Sequence, residues 1–348
     1  FSRSGSRASA SFSRAMGMTE ITIIGAGVSG LCVARGLTDR GASVTVVDRD
    51  AELGPRSCSW WAGGMLAPFC EGTNADPLVV RLGLEAADWW AANTQATCRC
   101  GSLVLSPTRD RAELSHFAGR TQGYVKVNGT QIAALEPDLA DRFESGLYFE
   151  AEAHLAPRAA LAQLRAGLMR DGAQFIQEDA DPNDYAQRGI TVDCRGLQAR
   201  DTHKDLRGVK GEMLVLSCPE VTLNRPVRML HPRVPLYIVP RGNGIFMLGA
   251  TMIESSSAAH ISVRSVLELL SAAYALNPAF GEAQVLEIGV DCRPAFPDNL
   301  PRIRRDGNLI SSNGLFRHGF LLAPAMARMV TSLIYDSIAP EVMDETPA

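Results

Sequence analysis

The sequence predicts an α/β fold with two interleaved domains, and two stretches of the chain carry that prediction. Residues 21–48 have the pattern of a strand, a glycine-rich turn, an apolar-periodic helix and a second strand, which is typical of a βαβ unit in a parallel sheet. Residues 211–250 contain compact β-rich runs separated by turns, which is typical of an antiparallel sheet. We therefore expect a Rossmann-like domain interleaved with an antiparallel-β domain.

The glycine-rich turn, Gly25-Ala26-Gly27-Val28-Ser29-Gly30, fits the pattern G-x-G-x-x-G. In this pattern the first glycine permits a tight turn, the second lets pyrophosphate approach the backbone, and the third lets the helix pack on the strand. Asp48 follows at about the expected ~20-residue offset, where a carboxylate accepts hydrogen bonds from ribose hydroxyls. A dinucleotide site is predicted; the alternative is a structural βαβ turn without a nucleotide, and NAD and FAD share the motif.

Hydrophobic periodicity and turn residues predict the other elements. In the first half they are strands at Gly101–Leu105, Gly146–Phe149, Gln174–Gln177 and within 189–196, and helices at Leu78–Asn93, Asp110–Thr121 and Pro157–Asp171. In the second half they are strands at Gly211–Leu216, Tyr237–Pro240, Gly244–Ala250, Val285–Asp291 and Leu309–Ile310, and helices at Val263–Leu276 and Leu321–Ile334. The turn Arg241-Gly242-Asn243-Gly244 indicates a hairpin, and Ser311-Ser312-Asn313-Gly314 a tight turn.

These elements suggest a division of the chain. The nucleotide-binding domain takes 18–90, 141–205 and 285–340, and the substrate-binding domain takes 91–140 and 206–284. Residues 1–17 are rich in Ser and Arg and lack acidic residues, as in a transit peptide, an expression leader or an upstream translated segment. We expect them to be a leader without ordered structure, with Met18 as the natural start.

Composition favours a small-molecule partner. The 348 residues carry a net charge of -4 without a Lys/Arg-rich run, which argues against nucleic acid or an anionic membrane surface. No run reaches the roughly 18 apolar residues that a membrane helix needs. The eight cysteines are scattered, so reduced thiols in a cytoplasmic protein are favoured over a disulfide framework. Cys98-Arg99-Cys100 is too tight for the usual zinc spacing and has no histidine pair nearby in sequence, so no metal site is expected.

Five segments carry a family resemblance: IIGAGVSG, SWWAGGMLAP, YIVPRGNGIFMLGATM, RPAFPDNLPRI and GLFRHGFLLAP. They span nearly the whole chain from Ile21 to Ala325, in the family's order. Through them the sequence resembles the D-amino-acid oxidase superfamily of flavoproteins, and within it the glycine oxidases of thiamine biosynthesis. The resemblance implies FAD as the dinucleotide, a FAD-binding Rossmann-like domain of the glutathione-reductase type, and a homo-oligomer.

The resemblance also implies the cofactor contacts. A helix N-terminus at the pyrimidine edge of the flavin would stabilise negative charge on the reduced ring. Two positions depart from relatives, since Gly63 replaces an alanine and His318 replaces a residue that is often asparagine. The implied cofactor-binding residues are Gly25, Ala26, Gly27, Val28, Ser29, Gly30, Asp48 and Arg49 at the ADP half, Ser59 at the pyrophosphate, Gly63, Gly64 and Met65 beside the flavin ring, and Arg317, His318, Gly319, Phe320 and Leu321 at its pyrimidine edge.

The implied substrate residues begin with Arg293, which resembles the family's carboxylate-binding arginine. A planar guanidinium offers a carboxylate two parallel hydrogen bonds. Tyr237 would donate to the same carboxylate, and Arg317 would offer a backbone carbonyl to the substrate amine; these three are the predicted catalytic residues. Met65 and Met252 would complete the substrate pocket. The alternatives are a surface salt bridge for Arg293, core packing for Tyr237 and gap filling for Met252.

The reaction that the resemblance implies is oxidative deamination of a small amino acid. A hydride passes from the substrate Cα to flavin N5, the imine hydrolyses to the 2-oxo acid and ammonia, and dioxygen takes the electrons to give hydrogen peroxide. With glycine the product is glyoxylate. The alternatives are an oxidase for sarcosine or a D-amino acid, a flavoprotein that passes electrons to a quinone or a protein partner, a flavin-binding maturation factor, and an NAD-linked dehydrogenase.

Overall fold

The computed structural model describes residues 19–230 and 236–344, so the predicted leader at 1–17 lies outside the described residues. The strands in the described part are β1 (Glu20–Ile24), β2 (Ser43–Asp48), β3 (Met65–Leu66), β4 (Thr97–Cys98), β5 (Ser102–Leu105), β6 (Val125–Asn128), β7 (Ser145–Phe149), β8 (Ala153–Leu155), β9 (Gln174–Gln177), β10 (Ile190–Asp193), β11 (Arg207–Ser217), β12 (Val227–Met229), β13 (Leu236–Pro240), β14 (Ile245–Gly249), β15 (Gln284–Ala295), β16 (Arg302–Asp306) and β17 (Leu309–Asn313).

The α-helices connect these strands and cover their faces. In the described part of the chain they are α1 (Val28–Asp39), α2 (Pro68–Glu71), α3 (Pro77–Gly83), α4 (Ala86–Asn93), α5 (Arg111–Ala118), α6 (Gly129–Leu135), α7 (Pro157–Arg170), α8 (Pro182–Ala186), α9 (Val263–Leu276) and α10 (Gly319–Tyr335).

The first sheet is the predicted nucleotide-type sheet, with the strand order β16-β17-β10-β1-β2-β9. Its strands are parallel except β16, which is antiparallel to β17. Strand β10, which forms within the run predicted at 189–196, lies beside β1 at the centre of this sheet. Because parallel strands end at one edge, the carboxyl ends of β1, β2 and β10 meet where α1 begins, the usual ligand position in this architecture.

The second sheet is larger, with the order β15-β11-β14-β13-β12-β5-β7-β6. All its neighbours are antiparallel except β12 and β5. The predicted hairpin forms between β13 and β14, and Gly242, Asn243 and Gly244 in its turn have positive φ. Helix α9 packs on this sheet through Leu269, Ala273 and Leu276, which are at most 1% exposed. The expected α/β fold with an antiparallel-β domain is confirmed.

The strand pairing corrects the division of the chain in two places. Strand β15 was expected in the nucleotide-binding domain but pairs along its length with β11, at the edge of the antiparallel sheet. Strand β7 was expected there too but pairs with β5 and β6. An apolar run predicts that a strand forms, whereas its partner depends on distant residues. A third, small sheet has the order β3-β8-β4.

Two local predictions also differ from the structure. The helix predicted at Leu78–Asn93 is divided into α3 and α4, and the division follows Gly83, where an added Cβ would lie 2.7 Å from Leu321 on α10. A glycine inside a helix costs about 1 kcal/mol relative to alanine, and here it allows close packing. The tight turn predicted at Ser311 begins only at Gly314, because Ser311–Asn313 continue β17 beside β16.

The described helices were also compared with the requirements of a bilayer. None of them combines the length and the hydropathy needed for a transmembrane span.

We predict that Leu31→Ala lowers the free energy of unfolding by about 2–5 kcal/mol, because Leu31 on α1 is 1% exposed and truncation leaves a cavity between the helix and β1. Urea unfolding followed by circular dichroism measures the change. Leu84→Ala removes the same atoms from a side chain that is 52% exposed, so it should change the free energy by less than about 0.5 kcal/mol. Equal losses in the two variants would contradict the assignment of Leu31 to the core.

Candidate active site

A cleft of about 650 Å³ opens between the carboxyl edge of the parallel sheet and one face of the antiparallel sheet. All but two of the predicted site residues line it. The exceptions are Ala26 and Gly30, which are not among its lining residues. The lining residues that were predicted are Gly25, Gly27, Val28, Ser29, Asp48, Arg49, Ser59, Gly63, Gly64, Met65, Tyr237, Met252, Arg293, Arg317, His318, Gly319, Phe320 and Leu321.

The glycine-rich turn is tightly packed at the end of the parallel sheet. Gly25 has a φ of 105°, and an added Cβ there would lie 2.6 Å from the carbonyl oxygen of Cys194 at the end of β10. At Gly30 an added Cβ would lie 1.8 Å from the carbonyl oxygen of Gly25. The first and third glycines are therefore required by the fold, whatever the ligand.

The residues present fit the phosphate end of a dinucleotide. Helix α1 begins with Gly27 as its N-cap and has no acidic residue in its first turn, so its N-terminus is free to face an anion. The backbone N–H of Val28 donates to Ser59 Oγ at 3.0 Å, which places the predicted pyrophosphate-contacting hydroxyl at that N-terminus. Asp48 accepts from the backbone N–H of Ala26 at 2.6 Å, at the carboxyl end of β2.

Arg241 holds the segment that was predicted to lie beside the flavin ring. Its guanidinium donates to the carbonyl oxygens of Gly63 at 2.6 Å and of Leu155 at 2.9 Å. Burial lowers the pKa of Arg241 to about 10, so the side chain remains cationic at neutral pH. Gly64 has a φ of 71° in this segment, and an added Cβ would lie 2.3 Å from Leu155 O. The motif YIVPR contains Arg241, but its partners are distant in sequence, so its role could not be inferred.

Arg293 and Tyr237 share one face of the antiparallel sheet. Tyr237 on β13 is paired with Gly249 on β14, and Gly211 on β11 lies two residues from Val209, the direct partner of Arg293 on β15. An added Cβ at Gly211 would lie 2.3 Å from Arg293 Nη2, and one at Gly249 would lie 3.1 Å from the Tyr237 hydroxyl. The glycines therefore provide the space in which both polar groups lie on the sheet.

The Arg293 guanidinium has spare hydrogen-bonding capacity. It donates to the carbonyl oxygen of Thr251 at 3.2 Å and, within residues 19–230 and 236–344, has no carboxylate within 4.0 Å. Asp291 lies on the same face of β15 and also lines the cleft, and burial raises its pKa to about 6. Met252 lies beside Thr251 at the mouth of the cleft, with 59% of its surface exposed.

Glu71 joins the predicted Arg317 turn to α2, and sequence reasoning did not identify it. Its carboxylate pairs with the guanidinium of Arg317, accepts from His318 Nε2 at 3.0 Å and lies 3.8 Å from Arg228 Nη1. Burial alone would raise the pKa of Glu71, but Arg317 and the other cations outweigh it and hold the pKa below its ordinary value. The side chain of Arg317 is therefore neutralised by Glu71. In the described structure the buried Nδ1 of His318 has no hydrogen-bond partner, which leaves it for a ligand.

A second buried carboxyl lies behind this cluster. Glu152 is 1% exposed, and it accepts hydrogen bonds from the Ser102 hydroxyl and from the backbone N–H of Cys70, the latter at 2.8 Å. Burial raises its pKa to about 7. Cys70, which donates to Glu152, is the residue before Glu71. Glu152 is therefore connected through the backbone to a carboxylate of the candidate site.

The geometry of the cleft agrees with comparisons against known proteins. The model of the family described as FAD dependent oxidoreductase (DAO) matches residues 20–333. The chain belongs to this family. A Rhizobium etli protein named, provisionally, thiamine biosynthesis oxidoreductase ThiO is 51% identical over 308 residues, 88% of this chain and 94% of that protein. The glycine oxidase of Pseudomonas aeruginosa is 25% identical over 90% of this chain and 94% of its own.

A solved structure has the same fold. The crystal structure of glycine oxidase from Geobacillus kaustophilus superposes with a TM-score of 0.75, covering 94% of this chain and 97% of that one at 20% identity. The family membership confirms the predicted cofactor, FAD, and the chain is an FAD-dependent oxidoreductase. The motif alone had left NAD and FAD open.

We predict that Arg241→Met weakens FAD binding about tenfold or more, because the variant loses charged hydrogen bonds worth about 1.5–3 kcal/mol each that hold the Gly63 segment. Titration of the flavin-free protein with FAD, followed by quenching of flavin fluorescence, measures the dissociation constant. The matched control is Arg188→Met, which removes an exposed guanidinium that stacks on Tyr185. An unchanged dissociation constant in Arg241→Met would be evidence against this role.

We predict that Glu152 makes the protein less stable as pH rises from about 4.5 to about 7. The unfolded glutamate, with an ordinary pKa of 4.5, loses its proton before the folded one does at about 7, so unfolding is favoured across that window. Relative to Glu152→Gln, the wild-type free energy of unfolding should fall by up to about 3 kcal/mol between these pH values. Urea unfolding at several pH values measures it, with Glu150→Gln, an exposed neighbour, as the control. Parallel pH curves for the wild type and Glu152→Gln would refute the prediction.

Proposed function

We propose that the protein oxidises small amino acids, with glycine as the principal substrate, to the 2-oxo acid, ammonia and hydrogen peroxide. The observation that carries the proposal is the Arg293 guanidinium, which faces the FAD cleft with no carboxylate partner within 4.0 Å in the described structure. Arg293 is half-buried, so its guanidinium is partly removed from water without an anionic partner, and a substrate carboxylate would supply the anion.

Tyr237 is suited to act with Arg293 on the same carboxylate. Its ring packs on Gly63 and Gly249, and in the described residues its hydroxyl has no protein hydrogen-bond partner. Burial raises the pKa of Tyr237, so the hydroxyl stays protonated at neutral pH and serves as a donor. Two donors on one sheet face would hold the carboxylate of the substrate. The Cα of the substrate would then point toward the Gly64–Met65 segment.

Bound FAD supplies the hydride acceptor for such a reaction. The chain's own contribution is then to orient the substrate and to exclude water from the cleft, and positioning of this kind supplies a large share of catalysis. Because Glu71 neutralises the side chain of Arg317, we assign to Arg317 only its backbone carbonyl, as a partner for the substrate amine. The small residues at Gly63 and Gly211 favour a compact substrate.

A place in thiamine biosynthesis, dioxygen as the electron acceptor and a homo-oligomeric state complete the proposal. The similarity to the Rhizobium etli protein supports the first, since the identity of 51% extends over 88% of this chain. The relatives named glycine oxidase support dioxygen as the acceptor.

We predict that Arg293→Met raises the KM for glycine about 100-fold or more while FAD remains bound, because two charged hydrogen bonds of about 1.5–3 kcal/mol each are lost. Peroxide formation under air measures the kinetics, and the visible spectrum measures bound flavin. The control, Arg207→Met, removes a guanidinium of β11 that pairs with Glu254 outside the cleft. Glycine kinetics that are the same in both variants would contradict the assignment of Arg293 as the residue that binds the substrate carboxylate.

A panel of amines tests the substrate itself. Glycine should give stoichiometric peroxide and glyoxylate at a higher kcat/KM than sarcosine or D-alanine. A preference for sarcosine or a D-amino acid would replace glycine as the substrate. Reduction of the flavin by glycine without peroxide, restored to turnover only by a quinone, would identify a dehydrogenase instead.

A further inference from the structure

Three side chains with soft or borderline ligand atoms meet on the small sheet β3-β8-β4. Cys98 on β4 lies directly across from His154 on β8, and Cys100 follows two residues later, on the same side of the chain. The Sγ of Cys100 lies 3.5 Å from Nδ1 of His154. The two sulfurs and a nitrogen of His154 all lie within 4.8 Å of one another. Among the described residues, this is the group of three His, Cys, Asp or Glu side chains whose ligand atoms come this close together.

The 3.5 Å between Cys100 and His154 matches the ligand spacing of a tetrahedral metal centre, and the other two separations are no longer than 4.8 Å. With bonds of about 2.3 Å to sulfur and about 2.0–2.1 Å to nitrogen, neighbouring ligand atoms lie about 3.5–3.8 Å apart. The sequence argument against a metal considered only Cys98 and Cys100 and found no histidine near them. Folding supplies the histidine from β8, 54 residues beyond Cys100.

The cysteine segment is fixed on both sides without the help of a metal. Arg99 forms an ion pair with Asp88 of α4 at 2.6 Å, and Arg225 donates to the carbonyl oxygen of Cys100 at 3.0 Å. The next residue, Gly101, donates its N–H to the carbonyl oxygen of Glu152 at 3.1 Å. Ligands that are already held in place lose little conformational entropy on binding an ion.

We propose that Cys98, Cys100 and His154 bind one thiophilic ion of the Zn²⁺ class. Two thiolates and an imidazole suit Zn²⁺ and exclude Mg²⁺ and Ca²⁺, which prefer oxygen ligands. Binding forms two metal–sulfur bonds and one metal–nitrogen bond and releases the two thiol protons to solvent. Cys98 is exposed, which gives the ion an entry path and leaves the fourth coordination position for water.

The centre would be connected to the active cleft through one strand. His154 pairs with Cys98 on one side and with Met65 on the other, and Met65 lines the cleft. An ion would therefore tie β4 to the strand that positions the Gly64–Met65 segment, and we assign it a structural role. The proposal concerns metal binding and does not rest on the identity of the substrate.

Co²⁺ is the probe, because thiolate ligation gives an intense charge-transfer absorption and tetrahedral geometry gives strong visible bands. The full-length, FAD-containing protein is first reduced, its eight thiols are counted, the reductant is removed under nitrogen, and the protein is titrated with Co²⁺. Difference spectra against the metal-free sample separate cobalt bands from flavin. We expect one equivalent to bind, with the charge-transfer intensity of two thiolates, and Zn²⁺ to displace it.

The variants are Cys98→Ser, Cys100→Ser and His154→Ala, with Cys218→Ser as the control that removes one buried thiol elsewhere. Each ligand variant should bind Co²⁺ about tenfold or more weakly, and each serine variant should lose about half of the charge-transfer intensity. Cys218→Ser should behave as the wild type. Since Cys98 is exposed, Cys98→Ser should fold normally, which its bound flavin verifies. A reduced wild type without a charge-transfer band, or an unchanged band in Cys98→Ser, would overturn the proposal.

Discussion

The pairing of β11 with β15 is the interaction on which the cleft depends. It adds residues 284–295 to the antiparallel sheet, which brings Arg293 onto the face that carries Tyr237. Near the end of this strand, the carbonyl oxygen of Pro294 accepts the backbone N–H of Phe316 at 2.9 Å, where the turn into α10 begins. One strand therefore sets the position of the proposed substrate residues and of the residues that close the cofactor end.

The charge balance of the cleft follows from this arrangement. Arg228 and Arg317 flank one half-buried carboxylate, Glu71, and within the described part of the chain Arg241 donates only to backbone carbonyls. Cations that are removed from water and incompletely paired are costly to the fold. A pyrophosphate and a substrate carboxylate would offset that cost, so the same cations that are costly to the fold favour anionic ligands.

Local patterns were sufficient for much of the fold and for one end of the site. The strand, glycines, helix and acid of residues 21–48 are contiguous, so both the turn and its role could be predicted. The glycines at Arg241–Gly244 likewise predicted the hairpin there. The partner of β15, the contacts of Glu71 and Arg241, and the approach of His154 to Cys100 depend on pairings between distant residues. Periodicity records which face of a strand is buried but carries no information on its neighbour, and for that reason β15 was expected in the wrong sheet.

The packing of α10 against α1 has a consequence for biosynthesis. Among the described residues, buried side chains of α10 such as Leu322 and Met326 belong to the same core as Leu31 and Cys32 of α1, and β17 completes the sheet beside β10. The nucleotide motif is translated first, but its supporting helix and the turn at Arg317–Leu321 leave the ribosome almost 300 residues later. FAD therefore meets a finished binding cleft only after the residues of α10 have been made, and a chain that is truncated before α10 would keep the whole glycine motif and still lack the turn and the helix that complete the cleft.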